Sequence, residues 1–214
     1  MPSSPLNLPN MITLARIAAC PAIFLMAISE GIWIQFAAFV LFVVAGLSDL
    51  WDGHLARKYG LITDMGKLLD PLADKLLLLA TFIPFYLISH RPGEQWLLPY
   101  WGALPMWVML VTFGRELVIT LFRHWAVRRN VVIAAGKSGK YKAFLQNLFS
   151  GGVLFWYPVQ KLAADRAWEA WAWTAWEYFM EAWIGVTLAA ALFLTVYSMI
   201  DYFWSYRVLI GVGK

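Results

Sequence analysis

The chain has 214 residues, of which 61% are hydrophobic, 17% aromatic and only 14% charged, with a formal net charge of +4 and a mean hydropathy of +0.63. A soluble domain carries about 25% charged residues, so this composition excludes a water-facing exterior, as well as a disordered chain, collagen, a coiled coil and a disulfide scaffold. The single cysteine, Cys20, permits no internal disulfide and no cysteine-based zinc site, and we therefore expect an integral membrane protein.

Six apolar stretches are long enough to cross a membrane as helices, which requires roughly 20 residues each. They cover about residues 11–29, 33–52, 68–89, 96–125, 141–160 and 179–206. Residues 1–10 are expected to lie along the membrane surface, and no internal repeat divides the chain. The predicted fold is an all-α integral membrane protein with six transmembrane helices and a short N-terminal interfacial segment, forming one membrane domain over residues 1–214.

The distribution of Lys and Arg predicts the orientation, because cytoplasmic loops carry an excess of both. With a cytoplasmic N-terminus, the loops and tail on that side contain Arg57, Lys58, Lys67, Arg123, Arg128, Arg129, Lys137, Lys140, Lys142, Arg207 and Lys214. The opposite side contains Arg91, Lys161 and Arg166. We therefore expect a multi-pass protein of the cell's inner (cytoplasmic) membrane with both termini facing the cytoplasm.

A tryptophan-rich stretch over residues 168–176 falls on the outer side in this arrangement. Indole rings are enriched at the level of the lipid headgroups, so an interfacial aromatic belt in an outer loop is the favoured interpretation. An aromatic platform that binds a sugar or another ligand is the alternative.

Four acidic residues lie where the second and third apolar stretches approach the cytoplasmic side. Asp49 and Asp52 are three residues apart on the second helix, and Asp70 and Asp74 are four residues apart on the third. Residues three or four apart lie on the same side of a helix, so each pair shares one face. Four converging carboxylates need positive charge between them. Two divalent ions about 4 Å apart could supply it and clamp a phosphate ester, and oxygen ligands suit Mg²⁺, Mn²⁺ or Ca²⁺. The alternative is neutralisation by the neighbouring cations Arg57, Lys58, Lys67 and Lys75.

These acids belong to a longer pattern of eight fixed positions, Asp49-x2-Asp52-Gly53-x2-Ala56-Arg57-x8-Gly66-x3-Asp70-x3-Asp74. The pattern matches the signature of the CDP-alcohol phosphatidyltransferase family without a gap, and the chain thus resembles that family of six-helix membrane enzymes. The resemblance implies transfer of a phosphatidyl group from a CDP-activated lipid to an alcohol, with release of CMP. It implies two metal ions, Mg²⁺ or Mn²⁺, at Asp49, Asp52, Asp70 and Asp74, with Asp74 also the catalytic base. It implies CDP binding by Asp49, Gly53, Ala56, Arg57 and Gly66.

Basic residues later in the chain bear on the choice of acceptor alcohol. Arg115 and Arg123 are eight residues apart on nearly one helical face. Lys140 and Lys142 follow near the same membrane surface. Arginine forks and lysine side chains bind phosphate oxygens, so this set predicts an anionic, phosphorylated acceptor. The alternatives are that these residues set topology and touch anionic lipid headgroups, or that Arg115 pairs with Glu116.

Three secondary motifs are similar to the phosphatidylglycerophosphate synthase branch of the family. They are Gly-Arg-Glu at residues 114–116 with a downstream arginine, Gly-Lys-x-Lys at 139–142, and the opening sequence 8–16. This resemblance implies CDP-diacylglycerol and glycerol 3-phosphate as substrates, a homodimer, and acceptor-phosphate binding by Arg115, Arg123, Lys140 and Lys142. Membrane lipids are the other expected partners, and nucleic acid is not expected. The hypotheses left open are a cardiolipin or phosphatidylinositol-phosphate synthase, a cation-coupled transporter and a lipid-binding structural protein.

Overall fold

The structure is a computed structural model that describes residues 7–60, 63–92, 96–129 and 137–207. Within these ranges the side chains that remain outside the description are those of Leu50, His54, Ala56, Arg57, Asp64, Lys67 and Lys137. The described chain forms six helices: α1 (Leu8–Ala27), α2 (Ile32–Lys58), α3 (Asp64–Ser89), α4 (Met106–Val127), α5 (Lys137–Asp165) and α6 (Trp171–Ser205). The predicted all-α fold is confirmed.

Four of these helices are long and apolar enough to cross a membrane: α1, α2 over Ile32–Gly53, α3 over Leu68–Ser89, and α6. The prediction of a membrane protein is therefore confirmed, whereas six spanning helices are not. Charges interrupt α4 at Arg115, Glu116 and Arg123, and the amides of Gln146 and Gln160 lower the hydropathy of α5.

Helix α1 begins earlier than the sequence suggests. The Asn7 side chain caps the helix by accepting a hydrogen bond from the Asn10 backbone N–H at 3.0 Å. Pro9 is tolerated in the first turn because the backbone N–H that proline lacks would have no partner within the helix there. Residues 8–10 of the expected interfacial segment are therefore the first turn of α1. Residues 1–6 of that segment lie outside the described part of the chain.

The fourth predicted span, residues 96–125, is helical only from Met106. Between Leu97 and Pro105 the chain turns back on itself, and the Leu98 backbone N–H donates to the Gly102 carbonyl at 2.8 Å. Tyr100 and Gly102 both have positive φ values, 65° and 68°, which a helix does not accommodate. This turn shortens the helix at its N-terminal end.

The tryptophan-rich stretch is mostly helical rather than an outer loop, because α6 begins at Trp171. The stretch contains no glycine or proline that would stop a helix. Trp173 stacks on the fully buried Trp156 of α5, with ring centroids 5.4 Å apart, while Trp171 is 84% exposed. The aromatic belt stays a prediction.

The chain divides into two compact units. Unit 1 comprises Met1–Trp96 and Ser150–Met180, and unit 2 comprises Leu97–Phe149 and Glu181–Lys214. Unit 1 is held by α1 against α2 and α3, by a hydrogen bond between the hydroxyls of Thr81 and Ser150 at 3.0 Å, and by packing of Phe39 on Phe155. In unit 2, Phe122 of α4 packs edge-on against Tyr202 of α6. The single domain expected over residues 1–214 stays a prediction.

Helix α1 packs in unit 1 through one stripe of buried side chains. The stripe consists of Pro9, Asn10, Thr13, Arg16, Cys20, Ile23 and Ala27. Spacings of three and four residues place them on one face of the helix. The C-terminal half of the stripe is apolar, but its N-terminal half is polar and needs hydrogen-bonding partners because it is buried.

Asn10, the first polar residue of this stripe, ties α1 to the start of α3. Its Nδ2 donates to Thr63 Oγ1 at 2.9 Å, and the same Oγ1 caps α3 by accepting from the Gly66 backbone N–H at 3.0 Å. A Cβ at position 66 would lie 2.8 Å from Asn10 Oδ1, too close for any real contact. The signature glycine therefore allows α1 and α3 to approach.

We expect Gly66→Ala to lower the free energy of unfolding by about 1–2 kcal/mol, because the added methyl group overpacks a hydrogen-bonded contact. Thermal and denaturant unfolding in detergent micelles measure this. The matched control is Gly46→Ala in α2, where a Cβ would meet nothing within 4 Å. The control should be neutral or slightly stabilising, since alanine is favoured over glycine inside a helix by about 0.5–1 kcal/mol. Equal stability of the two variants would contradict the packing role.

Candidate active site

Arg16 of α1 lies among the acidic residues of α2 and α3. Its Nη1 donates to Asp49 Oδ1 at 2.6 Å, and its Nη2 donates to Asp52 Oδ2 at 2.7 Å. Asp74 Oδ1 lies 3.8 Å from Nη1. The Arg16 side chain is completely buried. A buried guanidinium is tolerated only when acids pair with it, and these contacts supply the partners.

Thr13, one turn before Arg16, connects the acids of the two helices. Its Oγ1 lies 3.1 Å from Asp52 Oδ2 on α2 and 3.2 Å from Asp70 Oδ1 on α3. It also lies 3.1 Å from the Pro9 carbonyl. Because a hydroxyl has a single hydrogen, the two carboxylates and the Pro9 carbonyl compete for one donor. Thr13 and Arg16 together thus contact all four signature aspartates.

The four aspartates differ in their access to solvent. The Asp52 side chain is only 5% exposed, whereas that of Asp49 is 44% and that of Asp74 is 66% exposed. Asp52, which accepts from both Arg16 and Thr13, is the buried anchor of the cluster. Asp49 and Asp74 are open to a ligand.

The chemistry of this cluster fits divalent cations. Four carboxylates and one guanidinium leave a formal charge of −3 on the five side chains in contact. Carboxylate oxygens are the ligands that Mg²⁺ and Mn²⁺ prefer. Among the described residues, no group of three or more acidic, histidine or cysteine side chains meets the geometry of a metal site, and Arg16 occupies one oxygen each of Asp49 and Asp52.

The residues predicted to bind CDP lie beside this cluster in the sequence. Gly53 is in the last turns of α2 and Gly66 is in the first turn of α3. The backbones of Ala56 and Arg57 belong to α2, but their side chains lie outside the described part of the structure.

Unit 2 contains the basic residues predicted to bind the acceptor phosphate, and two of them share one carboxylate. Arg115 Nη1 donates to Glu116 Oε1 at 3.0 Å, and Lys142 Nζ donates to the same oxygen. The side chains of Arg115, Lys142 and Glu116 are only 10%, 5% and 20% exposed. The Arg115–Glu116 pair, one of the alternatives, is therefore present together with a second cation. Arg115 Nε is buried without a hydrogen-bond partner in the described part of the chain.

The other two predicted phosphate-binding residues are exposed. Arg123 Nε donates to the Tyr202 hydroxyl of α6 at 3.2 Å, and Lys140 lies on the exposed side of the first turn of α5. The structure therefore brings Arg115 and Lys142 together on Glu116 and gives Arg123 a different partner.

Three residues of these clusters were not predicted as site residues: Thr13, Arg16 and Glu116. For the first two, a signal exists in the sequence. Asn10, Thr13 and Arg16 are polar residues spaced by three within an otherwise apolar span, which places them on one helix face. An arginine within a span needs a partner, and the acids are the available ones.

Comparison with known proteins identifies the class of enzyme. The sequence profile described as CDP-alcohol phosphatidyltransferase matches residues 6–197, and the chain belongs to this family. It is 34% identical over 197 residues to the CDP-diacylglycerol–glycerol-3-phosphate 3-phosphatidyltransferase of Bacillus subtilis, which covers 83% of this chain and 95% of that protein. The predicted family and the prediction of an enzyme are thus confirmed.

Two further relatives bear on the choice of acceptor. A probable phosphatidylglycerophosphate synthase of Mycobacterium tuberculosis is 32% identical over 200 residues, or 92% of this chain and 79% of that protein. A CMP-forming cardiolipin synthase of Oryza sativa subsp. japonica is 34% identical over 152 residues, or 68% of this chain and 44% of that protein. The alignments with the Bacillus subtilis and Mycobacterium tuberculosis proteins therefore extend over more of both chains than the alignment with this cardiolipin synthase.

We expect Thr13→Val to lower the free energy of unfolding by about 1–3 kcal/mol, because two acidic side chains lose their shared donor while the side-chain volume is kept. Circular dichroism during thermal unfolding in micelles measures this. Thr195→Val is the matched control, since the buried Thr195 hydroxyl donates to the Ala191 carbonyl of its own helix. If both variants lose the same stability, the link through Thr13 contributes nothing specific.

Proposed function

We propose that this protein transfers a phosphatidyl group from CDP-diacylglycerol to a hydroxyl of glycerol 3-phosphate, giving phosphatidylglycerophosphate and CMP. The observation that carries the proposal is the convergence of the four signature aspartates on Thr13 and Arg16 in a chain of this family. The choice of acceptor is supported by the relatives named for that reaction, which match over 95% and 79% of their lengths, against 44% for the cardiolipin synthase. Membership of a transferase family argues against the transporter.

The metal-binding part of the proposal rests on Asp49, Asp52, Asp70 and Asp74. Enzymes of this family use divalent metals, and we propose that these carboxylates hold two ions, Mg²⁺ or Mn²⁺. When bound, the ions supply positive charge to the phosphoryl oxygens and the departing CMP. The chain itself contributes the convergence of carboxylates from two helices on one place.

We assign the removal of the acceptor's proton to Asp74. An alcohol is a poor nucleophile at neutral pH, and a positioned carboxylate speeds its attack by roughly 10²–10⁴-fold. The Asp74 carboxylate suits this role because it is 66% exposed and lies 3.8 Å from Arg16, beyond hydrogen-bonding distance. Asp52, by contrast, is buried and already accepts two hydrogen bonds.

We propose that the nucleotide is bound by Asp49, Gly53, Ala56, Arg57 and Gly66. Residues with little or no side chain at three of these positions leave the helix backbones accessible to a bulky ligand. Gly66 also allows the close contact between α1 and α3, so both nucleotide binding and helix packing require a residue without a side chain at this position.

We propose that the phosphate of glycerol 3-phosphate is bound by Arg115, Arg123, Lys140 and Lys142. Arg115 and Lys142 both donate to Glu116, so the fold brings two cations to one place, and such side chains bind phosphate oxygens. The buried Nε of Arg115 is one donor that such a ligand could satisfy. The mostly buried position of this pair strengthens its attraction for a phosphate.

We further propose that α4 and α5 complete six transmembrane helices, with both termini and the site facing the cytoplasm of the inner membrane. This orientation lets the water-soluble acceptor and the nucleotide reach the aspartates while the acyl chains stay in the lipid. The homodimer implied by family resemblance also stays a prediction.

The function is tested by CMP release from purified protein given CDP-diacylglycerol, Mg²⁺ and one acceptor at a time. We expect release with glycerol 3-phosphate, and none with phosphatidylglycerol, inositol phosphate or serine, with lipid products identified by mass.

Arg123→Gln should raise KM for glycerol 3-phosphate about tenfold, the effect of one lost charge-assisted contact of about 1.4 kcal/mol. Arg129→Gln, which removes an exposed arginine over the Trp125 ring, is the control. Release with another acceptor would overturn the assignment of the basic residues.

We expect Asp74→Asn to lower kcat by about 10²–10⁴-fold, because an amide cannot accept the hydroxyl proton. EDTA should abolish activity of the unchanged protein, and added Mg²⁺ or Mn²⁺ should restore it. Asp70→Ala should also remove activity while the protein still inserts into membranes. Full activity of any of these samples contradicts the two-metal mechanism. The control variant is Glu169→Gln, because Glu169 belongs neither to the aspartate cluster nor to the cluster around Glu116, and its activity should be unchanged.

A further inference from the structure

Arg16 is a buried cation among the carboxylates that we propose to bind divalent cations. Its two terminal nitrogens contact different residues of α2, at 2.6 Å from Asp49 Oδ1 and 2.7 Å from Asp52 Oδ2. It is also the cation that Asp74 of α3 faces at 3.8 Å. The guanidinium therefore joins two helices through three acids.

We propose that Arg16 is a positioning residue that holds Asp49 and Asp52 together and competes with divalent cations for them, so that it sets the metal affinity of the cluster. This inference rests on the proposed function, because it requires that the aspartates bind metal ions. It assigns a role to α1, which lies outside the eight-position signature.

The positioning role follows from the repulsion between the acids. Asp49 and Asp52 share one face of α2, and Thr13 brings Asp70 close to Asp52 through a shared hydroxyl. Carboxylates at such distances cannot all stay ionised without a positive charge between them. The buried Arg16 supplies one positive charge with two directed hydrogen bonds, which an arginine fork does better than any other side chain.

The competition follows from the same contacts. Asp49 Oδ1 and Asp52 Oδ2 each accept a charge-assisted hydrogen bond from Arg16, so a metal ion that ligates either oxygen has to displace or share that bond. The positive charge of the guanidinium also repels a divalent ion bound several ångströms away, and this repulsion weakens metal binding more in a partly buried site than in water. Removing the charge should therefore tighten metal binding even though it destabilises the fold.

The test is Mn²⁺ binding to full-length protein in detergent micelles, with free Mn²⁺ measured by electron paramagnetic resonance. We expect Arg16→Gln to lower the Kd for Mn²⁺ about tenfold. In EDTA, its thermal midpoint should fall by roughly 10 °C, because buried acids lose their counterion. Arg16→Lys keeps the charge, and its Kd should stay within about threefold of the unchanged protein.

The matched control is Arg91→Gln, which removes another positive charge from unit 1. Arg91 donates to the carbonyl of Ile28 at 3.0 Å. Ile28 follows the last residue of α1 and is twelve residues beyond Arg16, or about 18 Å at the rise of a helix, so the charge of Arg91 lies far from the oxygens that Arg16 contacts. The Kd of this variant should be unchanged.

The outcomes separate the inference from the proposed function. A Kd for Arg16→Gln that is unchanged or weaker, while the unchanged protein binds Mn²⁺, overturns the competition; a merely structural arginine would give that result with a lower thermal midpoint. Absence of Mn²⁺ binding to the unchanged protein overturns the metal site itself, and the role of Arg16 with it. Tighter Mn²⁺ binding by the Arg16→Gln variant supports both the metal site and the competition by Arg16.

Discussion

The arrangement of unit 1 depends on the ion-pair cluster in which the buried Arg16 of α1 contacts acids from α2 and α3. An arginine within an apolar helix is costly unless it is paired, and acids close together are costly unless a cation separates them. The acids therefore offset the cost of burying Arg16, and Arg16 offsets the repulsion between the acids. Thr13 and Arg16 of the buried stripe on α1 meet these acids, and the apolar half of the stripe packs the remainder of the helix.

The family signature consequently carries packing information as well as chemistry. The spacings of three and four residues turn each pair of aspartates to one side of its helix. Gly66, four residues before Asp70, leaves the space into which Asn10 fits, and Thr63 caps the same turn. The contact that brings α1 against α3 thus also brings Thr13 to the acids. A substitution in this region disturbs the shape and the charge balance together.

The basic residues of unit 2 follow a similar rule with the signs reversed. Arg115 and Lys142 are mostly buried cations, and Glu116 is the anion between them. In unit 2 two cations contact one carboxylate, whereas in unit 1 four carboxylates lie against one guanidinium and one hydroxyl. The proposed reaction requires divalent cations at the acids of unit 1 and a phosphate at the basic residues of unit 2, which are ions of the opposite sign in each case.

The membrane class, the helical fold, the family and the acid pairs could all be predicted from the sequence, because composition, helix length and spacings of three to four residues are local properties. It predicted six spans and an outer loop after residue 168, whereas Tyr100 with positive φ shortens the fourth helix and Trp173 extends the sixth by stacking on Trp156. The partners of the charged side chains became known from the packing of the helices. Arg16 meets acids 33 and 36 residues away, and Lys142 meets Glu116 26 residues away. Such pairings depend on which helix faces pack together, and no local spacing encodes that choice.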